Sequence, residues 1–491
     1  MFGPKLNNIP LNKSNRDPLG TESVTTNISA DIQRVIISPT DKAVYWPYYN
    51  WLYYSFYENR DKKDWTVSEF KKYLKREEKV FVLANLLNGF DQGLNGITEA
   101  SKVIEKNPNA LSYNLDFEMI KSMQNFNYYT SGLRSLNLIK YDETLEESSK
   151  YHTGHCTNGD GKGTLLGEVV HKRIKETVYY KKYHNTDIND IPASVLKEFG
   201  NAIPFDLKDC AEIKNVFNEI LYEGETPRLI TEYMEHLYFE YEFDKLTPWL
   251  CLHYLYDKKE LSKKSDIPLT LIDTSKKCEI LCGRIIFRFG LEGIWSYVVS
   301  ILENNPLTEN MWISRSLDFD SFEGCNISET TIDEFLNECS FTYKERDKMV
   351  SIINKNSSKS IVYGLKFMLS VYLRFYKEKE YEDYNDLLNE GGEESLSLSY
   401  WFSFVDENKN LTLEEFLYKL IHEFMIKQHK KVAFRKFVPR TSDYNDPYNY
   451  YFTNGLFSFN QSAGISPINL RPISAYEVGL TLGKIKRRKV L

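Results

Sequence analysis

The chain has little cysteine, no conventional catalytic signature and no long apolar run free of charge. Its seven cysteines are odd in number and scattered, whereas a secreted disulfide scaffold is short and pairs its thiols. Reduced thiols in a cytoplasmic protein are therefore expected. The first twenty residues hold nothing like the apolar segment of a signal peptide. The most apolar later stretch, 278–302, carries Glu279, Arg284, Arg288 and Glu292, each of them costly at a bilayer centre. It is expected to be a buried core helix, with no membrane contact. There is no G-x-S-x-G, no H-E-x-x-H, no paired C-x-x-C and no paired-glycine dinucleotide fingerprint. Those absences remove the commonest hydrolase, zinc-protease and dinucleotide readings.

What is present is an ordinary globular composition, 42% hydrophobic and 27% charged. The length suits about three domains, each large enough to need no disulfide staples. Aromatics are abundant, with 35 Tyr and 29 Phe. The net charge of −7 hides a separation: from 427 onward twelve Lys/Arg face three Asp/Glu, a local +9, while the first 426 residues carry −16. Such a separation points to a polyanion-facing end.

Helical periodicity dominates, so a mainly α, multi-domain fold is expected, with a winged-helix-like N-terminal module and a small β-containing C-terminal region. Residues 1–20 read as an Asn- and Pro-rich arm, followed by an amphipathic helix at 24–37. The run 45–57 (YWPYYNWLYYSFY) puts aromatics on every face of a helix with Pro47 near its start. It is either a core helix or a stacking platform, and the pattern alone does not decide. Thr66 and Glu69 have capping-box spacing for a helix through Leu87. A short helix at 98–106 and a longer one ending in Leu-x-x-Leu-x-Leu-Ile139 follow, with strand expected in a wing at 136–150. In DNA readers the second helix of a helix-turn-helix enters the major groove. Here Lys121, Arg134 and Lys140 are thinly spread, and a packing role stands beside that reading.

The first domain is expected to span 1–150, followed by an irregular Gly-, His- and Lys-rich insertion at 151–190 and a central helical domain at 191–376. Asp206 or Asp209 is a candidate helix cap in that central domain. Residues 377–491 hold an acidic linker with Gly391-Gly392, a helix at 413–428 and a basic tail. In the tail, Asn454-Gly455 is a hairpin signal.

Several motifs imitate chemistry without meeting its spacing. His152, His155, Cys156 and His171 are zinc-type ligands, yet the adjacent His155 and Cys156 cannot easily face one ion. A solvated loop is the preferred reading, and no metal or other cofactor is expected. Cys278 and Cys282 read as core thiols. The run GDGKGT at 159–164 lacks phosphate-loop glycine spacing and has Gly163 where Ser or Thr must follow the lysine. An EF-hand-like run from Asp406 lacks the sixth-position glycine; Thr412 capping a helix, with Glu415 three residues on, accounts for the same residues. Asp206 with Glu212 and Lys214 mimics a nuclease metal site, but on a helix where that chemistry wants a strand.

The tail keeps the strongest signal. Lys427, Lys430, Lys431, Arg435, Lys436 and Arg440 occur within fourteen residues without an acid, interleaved with Phe434 and Phe437, and Lys486, Arg487 and Arg488 lie in a second cluster. Cations beside aromatics suit phosphate contacts and base stacking. The competing expectation is an internal salt-bridged seam with the acidic 377–415 segment.

Four groups of residues carry a resemblance: Arg16-Asp-Pro-Leu-Gly20; the aromatic helix at 45–57; Tyr128-Tyr-Thr-Ser-Gly132 with Leu136-Asn-Leu-Ile139; and His429-x-x-Val432-Ala433-x-Arg435-Lys436. In these the chain resembles uncharacterised prokaryotic proteins of mobile antiviral-defence islands. The resemblance covers a small part of the chain and includes no catalytic signature. It implies a subunit of a multi-protein defence system, working beside an ATPase or nuclease. The expectation is thus a non-catalytic adaptor or sensor subunit acting near DNA. Two alternatives stand beside it: a metal-dependent nuclease or hydrolase with its site near 152–171, and a kleisin-like scaffold bridging ATPase subunits.

Overall fold

Helices dominate the structure, and among the described residues strands occur only as four two-stranded antiparallel pairs. This is the mainly α fold with small β regions that the periodicity implies. The structure, a computed structural model, describes residues 17–32, 41–58, 67–91, 96–117, 126–141, 156–158, 161–223, 225–241, 267–319, 321–322, 325–337, 339, 343–376, 378–436, 448–463, 465 and 471–484. The chain divides into two packed units, and neither is a continuous stretch. One comprises Ile32–Leu246 with Asn469–Leu491, the other Met1–Asp31 with Thr247–Ile468. These divisions do not coincide with the limits expected at 150, 190 and 376. Composition marks polar stretches; it does not show which distant segments share a core.

The unit built on Ile32–Leu246 is organised by the helix Tyr45–Glu58. Trp46, Tyr48, Tyr49, Trp51 and Tyr53 on it are fully buried, so it is a core helix. Its phenols find partners, as buried hydroxyls must: Tyr48 Oη donates to Glu77 O at 2.7 Å and Tyr49 Oη to Glu78 Oε1 at 2.6 Å. Asn50 Nδ2 donates to Leu138 O at 2.9 Å. Leu138 sits between the helix Phe126–Ser135 and a ribbon formed by Ile139–Tyr141 and Cys156–Asn158. The helix-then-ribbon order expected of the N-terminal module is present, with its second strand beyond the expected limit of 150.

The supposed irregular insertion supplies a core helix instead, Lys162–Ile174, packed on Tyr45–Glu58. Leu166, Val169, Val170 and Ile174 recur at helical spacing and are buried. Two of its glycines are close contacts: a Cβ on Gly163 would stand 2.6 Å from Leu138 O, and one on Gly167 2.6 Å from the Tyr54 side chain. Neither expected aspartate caps the helix Ala211–Tyr222, which starts from Cys210. Asp206 instead accepts the Lys208 N–H at 2.9 Å, and Asp209 is held at φ +56. The C-terminal helix Arg471–Thr481 packs on Glu225–Tyr241.

The other unit is built around the 29-residue helix Ile272–Ser300, packed along Lys359–Phe375. By length and composition the stretch Leu269–Glu303 could cross a membrane, but 78% of its most apolar window is buried. Its buried charges are matched, as charges out of water must be. Glu279 accepts from Tyr381 Oη, from Arg374 Nη2 at 3.1 Å and from Ser275 Oγ at 3.2 Å. Glu292 accepts from Thr21 Oγ1 at 3.2 Å. Arg284 donates to the carbonyls of Ser395, at 2.9 Å, and Leu396. Burial, with Arg288 beside it, pushes this guanidinium down to about 9 against the pull of Asp17 and Glu292.

Where the two long helices cross, a Cβ on Gly290 would stand 2.5 Å from Gly364 O, and one on Gly364 2.7 Å from Gly290 O. Each glycine costs its helix roughly 0.5–1 kcal/mol, offset by the closer packing. The capping box at Thr412 is present in both halves, with Glu415 N donating to Thr412 Oγ1 at 3.3 Å and Thr412 N to Glu415 Oε2 at 3.1 Å. The hairpin of Tyr450–Thr453 and Leu456–Phe459 turns at Asn454 and Gly455, φ +54 and +80, the two positive values a type I′ turn requires.

Candidate functional site

Five basic residues of the tail, Lys427, Lys430, Lys431, Arg435 and Lys436, are on a helix. It runs from Leu413–Lys419 through seven residues of π-helix, Leu420–Ile426, into Lys427–Lys436, beyond the end expected at 428. A π segment changes the direction in which the following side chains project, and such segments recur at functional sites. Gln428, His429, Val432 and Ala433 form the buried face of Lys427–Lys436; Lys427, Lys430, Lys431, Phe434 and Arg435 form the exposed one. The helical period alone produces this division.

The buried face is pinned by polar contacts. His429 Nδ1 lies 2.9 Å from Pro18 O, and its Nε2 accepts the Asn449 N–H at 3.1 Å. A neutral ring carrying its proton on Nδ1 satisfies both. Gln428 Nε2 donates to Leu19 O at 3.0 Å and to Glu394 O at 2.8 Å. A Cβ on Gly20 would meet Val432 at 2.8 Å. The turn at 17–20 is therefore docked against this helix, which leaves the cations on its other side facing solvent.

Part of the cluster does face the acidic segment. Arg435 Nη1 is 3.5 Å from Glu394 Oε2, and Lys431 Nζ is 3.8 Å from Glu393 Oε1. Both pairs are exposed, a setting worth roughly 0–1 kcal/mol each. The turn at 391–396 is held in place by Arg284 and Gln428, and by Arg435 Nη2 on Glu394 O at 3.3 Å. Lys427 and Lys430 form no ion pair among the described residues. Lys430 Nζ stands 5.3 Å from the centre of the Phe457 ring, which lies 4.7 Å from that of Phe452. Phe434 is 75% exposed and Phe452 59%. The Lys436 side chain and residues Arg440, Lys486, Arg487 and Arg488 lie outside the described residues.

The zinc-type residues are not brought together by the described structure. His171 Nδ1 accepts the Trp51 indole N–H at 3.4 Å, and its ring packs on Tyr54 and Tyr180. Cys156 lies on a strand, while His152, His155 and the Cys156 side chain fall outside the described residues. Among the described residues no three His, Cys, Asp or Glu side chains converge as metal ligands would. Glu212 is on a helix and faces Lys172 at 3.8 Å. Asp406 sits on the helix Leu398–Asn408 and pairs with Lys409 at 3.2 Å.

One constellation has no counterpart in the sequence motifs. Ser55 Oγ lies 2.9 Å from His184 Nε2, and His184 Nδ1 lies 3.4 Å from Glu77 Oε2. This is the connectivity of a nucleophile, base and acid. Tyr179 Oη also donates to Glu77, and Arg76 Nη1 reaches Glu77 Oε1 at 2.9 Å. Burial pushes the Glu77 carboxyl up, but His184, Arg76 and the Tyr179 hydroxyl together hold it below its ordinary value. Access decides its role. Ser55 and Glu77 are fully enclosed, and the rings of Trp51, Tyr73 and Tyr180 cover the imidazole. Ser55 sits within a helix, not on the exposed turn that presents a serine nucleophile. The cluster is an enclosed polar core. Spacing could not have revealed it, because its members come from three separate helices and a turn. Compared with protein-family models, with curated proteins and with solved structures, the chain matches none.

Proposed function

We propose that this chain is a non-catalytic adaptor or sensor subunit that contacts nucleic acid through the exposed face of Lys427–Lys436. Its setting is a cytoplasmic, multi-protein prokaryotic defence complex in which an ATPase or nuclease supplies the chemistry. One observation carries the reading: Lys427, Lys430, Lys431, Phe434 and Arg435 share the solvent face of a helix whose opposite face is buried. The defence setting rests on the sequence resemblance. Its four groups pack as two pairs, the 17–20 turn on His429 and Val432, and Tyr129 with Leu138 on the aromatic helix. Those are structural contacts, which suits a subunit without a reaction centre of its own.

The rival is a kleisin-like scaffold without nucleic-acid contact, favoured by the pairing of Lys431 and Arg435 with Glu393 and Glu394. Salt-dependent binding of the full chain to DNA separates the two. Replacing Lys427 and Lys430 with Gln should flatten the log–log salt slope by about 1.5, with roughly one counterion released per contact. Glu393→Gln with Glu394→Gln should steepen it, by releasing Lys431 and Arg435 to phosphate. Unchanged slopes in both variants would favour the scaffold.

A further inference from the structure

The exposed face carries more than charge, and we infer that its ligand is a single strand of nucleic acid, with bases stacked on Phe434 and Phe452 beside the lysines. This rests on the nucleic-acid reading above and specifies its substrate. The juxtaposition is a strip, a row of cations with rings beside it. Lys427, Lys430 or Lys431, and Phe434 follow one another at three- and four-residue spacing, so each is the next one's neighbour along the helix. From Lys430 the strip crosses to the hairpin, where its ammonium stands 5.3 Å from the Phe457 ring centre and Phe457 adjoins Phe452 at 4.7 Å. Phe457 is buried and anchors the strip; Phe434 and Phe452 are 75% and 59% exposed.

A ring left in water at that exposure forgoes its apolar burial, and the unit has an ample core in which other aromatics are enclosed. Phosphate contact alone would need only the lysines. A duplex presents phosphates and groove edges and keeps its base faces stacked, so it offers the two rings no partner. A single strand offers both: phosphates for the cations, and base faces that any aromatic ring can stack on, whatever the sequence. The charge complementarity of Lys427 and Lys430, which form no ion pair among the described residues, selects a polyanion over an apolar peptide.

The test compares a labelled oligodeoxythymidylate strand with a mixed-sequence duplex of equal length, using the full chain. The strand should bind more tightly. Phe434→Ala should weaken it about tenfold, the loss of one stacked base, leave duplex affinity unchanged, and leave thermal stability intact because the side chain is exposed. Phe434→Trp should restore strand binding. Equal affinity for strand and duplex, with Phe434→Ala silent on both, would overturn the stacking inference. The phosphate reading would survive that result if Lys427→Gln with Lys430→Gln still weakened both ligands. Competition by polyglutamate as effective as by the strand would overturn both, and would identify the face as a dock for an acidic protein segment.

Discussion

Two parts of this chain place their aromatic rings in opposite settings. In Tyr45–Glu58 the rings of Tyr45, Trp46, Tyr48, Tyr49, Trp51, Tyr53 and Phe56 are enclosed, and the Tyr48 and Tyr49 hydroxyls bond to Glu77 O and Glu78. Along Lys427–Lys436 and the hairpin beyond it, Phe434 and Phe452 remain in solvent. What separates the two is interleaved charge. The first segment has no Lys or Arg between Tyr45 and Tyr57, so nothing resists burial on every face. Lys427–Lys436 spaces four cations along the face that carries Phe434, and ammonium and guanidinium groups hold that face in water. An aromatic run is thus a core signal, and it becomes a binding signal when cations share its face.

The sharpest way to break this comparison is to truncate one ring from each segment. Trp51→Ala should cost about 3–5 kcal/mol, the usual loss for a large enclosed aromatic, visible as a large fall in the urea midpoint. Phe434→Ala should fall within about 0.5 kcal/mol of the parent, as exposed substitutions do. Comparable losses at the two positions would mean that Phe434 is enclosed in the working protein.

A smaller effect sharpens the account of the aromatic core. Glu77 is held below its ordinary value near 4.5 by His184, Arg76 and Tyr179, which outweigh its burial. The folded protein therefore binds this proton less readily than the unfolded chain. The stability that the carboxylate contributes is complete above about 4.5 and is lost as pH falls through the lowered folded value. Glu77→Gln should cost about 3 kcal/mol at neutral pH, the penalty for breaking a buried ionic network. The gap between parent and variant should narrow in acid, as urea melts across a pH series would record. A gap independent of pH would mean that Glu77 is not ionised in the core.

Local signals in the sequence carried much of the fold. The helix periods, the Thr412–Glu415 capping box and the Asn454-Gly455 turn each depend on residues within a few positions of one another, and each forms. The errors fell where distant packing overrides local preference. The Gly-, His- and Lys-rich stretch 151–190 reads as an irregular insertion, yet its glycines at 163 and 167 allow Lys162–Ile174 to lie against Leu138 and Tyr54. Asp206 and Asp209 look like caps, but a turn uses the first and the second has left-handed backbone. The basic cluster was legible as composition. Its sorting into a buried and an exposed face was not, because the helix had been expected to stop at 428. The Ser55–His184–Glu77 cluster was invisible for a related reason: residues scattered between 55 and 184 meet only in the packed core.

The claim that the exposed face of Lys427–Lys436 touches nucleic acid is tested most directly by a lysine-acylation footprint of the full chain with and without an oligonucleotide. The account predicts protection of Lys427 and Lys430, with lesser protection of Lys431 beside Glu393. The exposed Lys172 and Lys181 should react as before, and raising the salt should abolish the protection. Unaltered reactivity at Lys427 and Lys430 while the oligonucleotide is bound would contradict it.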